Sequence, residues 1–284
     1  MIGVFDSGVG GLSVHRTLVE RLPQADFIYL ADQANTPYGG RPSDEIVALT
    51  RAGCIRLFEE GASLIVLACN TAAAIALRPL QSDWLPAYRQ KLGRPINVIG
   101  LIVPTIEAAT GLSWKDTTSS RLETMGPKKT IGIFATPATV RSQVYEVEIH
   151  KRRPDITVFQ EPCPELAHLI ETGADHEHLR GVIESHVKAL CAHIGDRPWE
   201  AILGCTHYDI VSDLFAHALP SATKLIHQPS ATADALIRYL AHHAEYDSGH
   251  TGKRRFITTG VALQSKLAEE FWNGPLAFET LLAA

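Results

Sequence analysis

Two cysteines stand out by their surroundings. Leu64-Ile65-Val66-Leu67-Ala68 is an apolar run of strand length that ends on Cys69, and Asn70, Thr71 and Ala72 follow. Far down the chain, Ala201-Ile202-Leu203-Gly204 runs into Cys205, Thr206 and His207. Each thiol ends a buried-type strand and precedes polar side chains. A thiol at a helix start also faces oriented N–H groups, which favour thiolate. Two thiols on opposite sides of one small ligand suit one reaction class, the inversion of a stereocentre by proton transfer, with a base on one face and an acid on the other. The demand on such a site is severe. If an amino acid α-proton is roughly 20 pK units less acidic than a thiol, transfer is uphill by about 27 kcal/mol. A turnover of ~10 per second tolerates a barrier of about 16 kcal/mol. Oriented donors and water exclusion must therefore supply on the order of 10 kcal/mol. Ser7, Asn70, Thr71, Thr206 and backbone amides are suitable donors.

The remaining cysteines read differently. Cys54 and Cys191 lie on apolar helical stripes and are expected to pack as small hydrophobes. Cys163 stands between Pro162 and Pro164, where a structural role is expected. Five cysteines with no C-x-x-C pair argue against a disulfide framework and against a cysteine-rich zinc site. His168, His176, His178 and His186 have no metal-ligand spacing, so no metal is expected. Asp6-Ser7-Gly8-Val9-Gly10-Gly11 lacks the Lys-Ser/Thr of a P-loop and fails the G-x-G-x-x-G dinucleotide pattern. It reads as a tight turn, or as a turn whose amides approach a small carboxylate. His207 reads either as a core histidine or as a proton-handling neighbour of Cys205.

Strands alternating with helices must position these groups. Ile2 to Phe5, Phe27 to Ala31, Leu64 to Ala68, Ile96 to Leu101, Ile131 to Thr136, Ile156 to Phe159, Ala201 to Leu203, Lys224 to His227 and Arg255 to Thr258 read as strands. The alternation predicts an α/β fold with parallel sheets covered on both faces. Asp6, Asp32, Cys69 and Cys205 fall at C-terminal strand ends, where open α/β sheets bind ligands. Ile131-Gly132-Ile133-Phe134 resembles Ile2-Gly3-Val4-Phe5, and the Cys205 strand resembles the Cys69 strand at a similar displacement. The halves therefore read as structural repeats facing one cleft. Residues 79–95, with three prolines, read as less regular, and residues 113–129 as a polar surface insertion.

Bulk properties exclude other classes. A net charge of −5 with scattered Lys and Arg argues against a nucleic-acid surface. No apolar run approaches the roughly 20 residues needed to cross a membrane. No charged leader with an apolar core precedes the first strand, so a cytoplasmic location is expected.

Four motifs together carry a resemblance. Asp6-Ser7-Gly8-Val9-Gly10-Gly11-Leu12, Asp32 with Pro37-Tyr38-Gly39, Cys69-Asn70-Thr71-Ala72 and Gly204-Cys205-Thr206-His207-Tyr208 resemble, in order, the glutamate racemases of the aspartate/glutamate racemase family. The resemblance spans nearly the whole chain. It implies cofactor-independent interconversion of L- and D-glutamate, which supplies D-glutamate for bacterial peptidoglycan. It also implies two pseudo-symmetric α/β domains with the substrate between them, here 1–101 with 208–284, and 102–207. Carried over by motif, Cys69 and Cys205 are the two acid–base residues, each acting on one enantiomer, and Asp6 and His207 assist them. Asp32 and Glu171 match further acidic positions. Asp6, Ser7, Pro37, Tyr38, Gly39, Asn70, Thr71, Thr206 and His207 match substrate contacts, and one of Thr136 and Thr139 is expected to add another. A homodimer is expected because family members are often dimers. The chain departs from the family at Val103-Pro104-Thr105, where glutamate-proline-glycine is usual, and at Asp209, where proline is usual. An aspartate or broader-specificity racemase, and a non-catalytic small-acid binding protein, remain as alternatives.

Overall fold

The computed structural model describes residues 1–113, 129–246, 250–260 and 266–281. Among the described residues ten strands form two sheets: β1 Ile2–Asp6, β2 Phe27–Ala31, β3 Leu64–Leu67, β4 Asn97–Gly100, β5 Thr130–Ala135, β6 Thr157–Pro162, β7 Glu200–Gly204, β8 Lys224–Ile226, β9 Arg254–Thr258 and β10 Glu279–Thr280. The first sheet has the order β10-β9-β2-β1-β3-β4 and the second β6-β5-β7-β8. Every pairing is parallel. The reason lies in the sequence: β1, β2, β3 and β5 are buried along their whole length, as strands covered by helices on both faces must be.

The chain leaves the first sheet after β4, builds the second, and returns to pair β9 beside β2. β8 pairs with β7 in register, Glu200 with Lys224 through Ile202 with Ile226. The second sheet therefore takes in a strand beyond the 207/208 boundary expected from the sequence. The repeat signal ended at Cys205 and could not report the next crossover. The helix Gln228–His242 then carries the chain back against the helices Leu12–Arg21 and Ile102–Thr110.

Residues 79–95 correct the expectation of irregularity. A π turn, Leu80–Trp84, runs into the helix Leu85–Leu92, which Gly93 ends in the left-handed region at φ 63°. Pro86 is tolerated because it falls in the first turn, where no intrahelical N–H partner is lost. Trp84 stacks on Tyr88 at 4.8 Å, and both rings pack against Phe58 of the core, at 6.3 and 6.1 Å. Most of the expected insertion at 113–129 lies outside the described residues. Among the described residues no helix is long and apolar enough to cross a membrane.

Candidate active site

β1, β3, β5 and β7 all release their chains at the same side, into a cavity of about 300 Å³ between the two sheets. Cys69 and Cys205 both border it. So do Ser7, Pro37, Tyr38, Gly39, Asn70, Thr71, Thr136, Glu171, Thr206 and His207. Among the described residues no lysine or arginine lines it. Among the described residues no group of three or more His, Cys, Asp or Glu could hold a metal ion.

Cys69 caps the helix Asn70–Ile75. Its sulfur lies 3.4 Å from the Ala72 N–H, which donates to it, and 3.4 Å from the Ser7 hydroxyl. Burial nevertheless pushes the thiol up to about 12, with Asp6 adding to the effect, and the two hydrogen bonds only oppose it. The helix start pulls toward thiolate as expected, but desolvation outweighs it. Cys205 precedes a 3₁₀ helix, Thr206–Val211, and makes no capping bond. Its sulfur lies 3.9 Å from Nδ1 of His207.

His207 is buried, and its Nε2 stands 3.9 Å from Oε1 of Glu171, an ion-pair distance too long for a hydrogen bond. Burial opposes the charge on the ring. The thiol of Cys205 and the Glu171 carboxylate outweigh it and raise the histidine well above its ordinary value. Burial likewise pushes Glu171 up, but His207, Gln33 and Thr36 bring it below the usual carboxylate range. Gln33 Nε2 donates to Oε1 at 3.1 Å and Thr36 Oγ1 to Oε2 at 3.4 Å. The sequence reading missed both donors. Thr36 adjoins the Pro37-Tyr38-Gly39 motif, and that adjacency is the one signal that could have found it.

Asp6 is fully buried beneath the glycine turn and does not border the cavity. Its Oδ2 accepts from the Gly8 N–H at 3.0 Å, and its Oδ1 has no hydrogen-bond partner. Burial raises its pKa. The turn owes its glycines to close approach. A Cβ on Gly10 would stand 2.7 Å from His207 Nδ1, one on Gly11 2.7 Å from the Asp6 Cβ, and one on Gly8 2.9 Å from Glu171 Oε1. The glycines let ionisable side chains from both halves press against one turn.

Asp32 does not border the cavity either. It accepts from the Tyr38 hydroxyl at 2.5 Å, from Asn35 Nδ2 at 3.0 and 3.2 Å, and from Thr259 Oγ1 at 2.7 Å. All three partners tie down the loop, so Asp32 holds Tyr38 in the cavity wall without bordering the cavity itself. Thr71 Oγ1 lies 3.0 Å from Thr136 and 3.4 Å from Thr139. Thr136 lines the cavity, whereas Thr139 is fully buried behind it. Cys163, for which a structural role is expected from the sequence, also lines the cavity.

No family model matches the chain. The chain is similar to the glutamate racemase of Phenylobacterium zucineum, 64% identical over 279 residues that cover 98% of this chain and 99% of that one. It is 63% identical to the glutamate racemase of a Caulobacter species over 279 residues, again covering 98% and 99%. Among solved structures it is similar to the glutamate racemase of Francisella tularensis in complex with D-glutamate, with a TM-score of 0.77 and 28% identity, covering 100% of this chain and 97% of that one.

Proposed function

The chain belongs to the glutamate racemases, amino-acid isomerases, and from that premise we propose that it interconverts L- and D-glutamate with Cys69 and Cys205 as its two acid–base groups. The observation that carries this reading is that both sulfurs border one cavity of about 300 Å³. In each direction, one thiolate takes the α-hydrogen as a proton and the opposite thiol gives its proton to the other face of the same carbon. The α-carbon keeps its four bonds, and the two sulfurs exchange protonation states. His207, held charged by Glu171, stabilises the Cys205 thiolate. Asp6 stands behind the Cys69 side, where its buried carboxyl acts on that thiol electrostatically.

Among the described residues the lining carries several hydroxyls and the charged His207, and these groups hold the substrate carboxylates. The hydroxyls of Ser7, Thr71, Thr136 and Thr206 border the cavity and are placed for this. Such fixed donors in a site that excludes water are the means of supplying the roughly 10 kcal/mol of carbanion stabilisation that thiol chemistry requires. The proposed physiological role is supply of D-glutamate to peptidoglycan, and the homodimer expected from the family belongs to the same reading. Incubation with L-glutamate, followed by chiral separation, should give the D-isomer up to an equal mixture. Binding of glutamate without inversion would overturn this function.

A further inference from the structure

Behind Cys69 lies a buried polar cluster that none of the proposed steps uses. Asn70 opens the helix that Cys69 caps, and both ends of its side-chain amide make hydrogen bonds in the cluster. Its Nδ2 donates to Gln228 Oε1 at 2.9 Å. Its Oδ1 accepts from the Tyr145 hydroxyl at 2.7 Å and from Gln228 Nε2 at 3.1 Å. Gln228 Nε2 also lies 2.8 Å from the Tyr145 oxygen and 3.2 Å from Thr105 Oγ1. The four side chains come from four helices: Asn70–Ile75, Ile102–Thr110, Val144–Arg152 and Gln228–His242. None is more than 5% exposed.

The hydrogen-bond polarity of the cluster is determined. Tyr145 has one proton, and it goes to Asn70. The Thr105 hydroxyl gives its proton to the Leu101 carbonyl at 2.8 Å. Both oxygens are therefore acceptors toward Gln228, so the Gln228 NH₂ must face them and its carbonyl must face the Asn70 NH₂. That in turn fixes which end of the Asn70 amide points where. A buried network with one consistent set of donors and acceptors holds its members rigidly, and a single mismatched member is costly. Among the described residues Cys205 makes no capping bond, and its sulfur lies within reach of His207 alone, at 3.9 Å.

We propose that Tyr145 and Gln228 are positioning residues for Cys69: acting through Asn70, they fix the first turn of its helix and hence the place of its sulfur in the cavity wall. The proposal rests on Cys69 being one of the two acid–base thiols. It also gives the Asn70 side chain a place in the cluster, through its Oδ1 and one N–H of its Nδ2, while Asn70 still borders the cavity. The residue next to the thiol is thus tied to Tyr145 and Gln228, on two helices that follow the second sheet's first and last strands.

Two variants test this. Tyr145→Phe removes the donor to Asn70 together with the acceptor of the Gln228 NH₂. Gln228→Glu keeps the shape and replaces the NH₂ by an acceptor that neither Tyr145 nor Thr105 can satisfy. For each, kcat and KM for glutamate are measured, together with alkylation rates of Cys69 and Cys205 by iodoacetamide, read on their separate peptides. Tyr145→Phe should lower kcat by about tenfold with KM changed by less than about twofold, and Gln228→Glu should lower kcat further. The ratio of Cys69 to Cys205 alkylation should change by at least about threefold in both, because only one thiol loses its support. An unchanged ratio, or an unaltered kcat, would overturn the proposal. If Gln228→Glu does not fold, Tyr145→Phe decides alone. The alkylation ratio needs no turnover, so a wild-type protein that fails to invert glutamate would sink the proposed function without deciding this point.

Discussion

On the Cys69 side of the cavity the sulfur sits 3.4 Å from a serine hydroxyl and 3.4 Å from a backbone N–H, with a buried aspartate behind. On the Cys205 side it sits 3.9 Å from an imidazole, which is paired in turn with a carboxylate. The first set is neutral donors over an acid whose pKa burial raises. The second is a charged pair reaching in from the opposite half. Two enantiomers have equal free energy, so this difference cannot bias the equilibrium. It can only set how fast each face exchanges its proton. A pseudo-symmetric fold therefore does not require a symmetric site, and each thiol is tuned by whatever its own strand end brings near.

Removing either sulfur should have the largest effect. Cys69→Ser and Cys205→Ser should each lower racemisation by about 10²–10⁴-fold, the range for losing a positioned acid or base. Near-normal activity in one of them would mean that the two walls are not both used. The partners should give smaller and opposed effects. Asp6→Asn and His207→Asn should each lower kcat by about 10–100-fold, and the α-deuterium isotope effect should rise with one enantiomer for Asp6→Asn and with the other for His207→Asn. Isotope effects rising for the same enantiomer would break the assignment of one partner to each thiol.

The smallest effect on activity, and a clear one on stability, belongs to a histidine outside the site. His15 is fully buried among Phe27, Tyr29, Phe256 and Trp272, and neither ring nitrogen has a hydrogen-bond partner. Burial, aided by Arg254, pushes it down to about 3. His207 has charged partners and is pulled the other way. The sign follows from linkage. The unfolded chain takes up a proton at His15 near pH 6.5 and the folded one does not, so stability falls as pH drops from about 6.5 toward 3, by at most about 1.4 kcal/mol per pH unit. His15→Phe should remove that slope and raise the melting temperature, with kcat unchanged. A variant that retains the full acid slope would show that other groups carry it.

The strand pattern and the two cysteine strand ends were legible because fully buried parallel strands leave apolar runs that stop abruptly where the ligand side begins. The roles of individual polar residues were less so. Asp32 carries a family motif, yet its oxygens face Tyr38, Asn35 and Thr259, the last 227 residues away in sequence. Gln228 gives no local signal at all, since its meaning comes from an amide 158 residues distant. Burial of Cys69 reversed the pull of its helix start, and no spacing rule reports desolvation. Close approach explains the glycine turn better than anion binding does, and that required knowing that His207 and Glu171 would arrive from the other half.

The most direct test is the fate of the α-hydrogen during the first few per cent of reaction in heavy water, starting from each enantiomer in turn. With one thiol on each face, the product should carry solvent deuterium while the recovered substrate still carries its original hydrogen, from both starting enantiomers. Deuterium entering recovered substrate as fast as product, or product keeping the substrate's own hydrogen, would mean that a single group serves both faces.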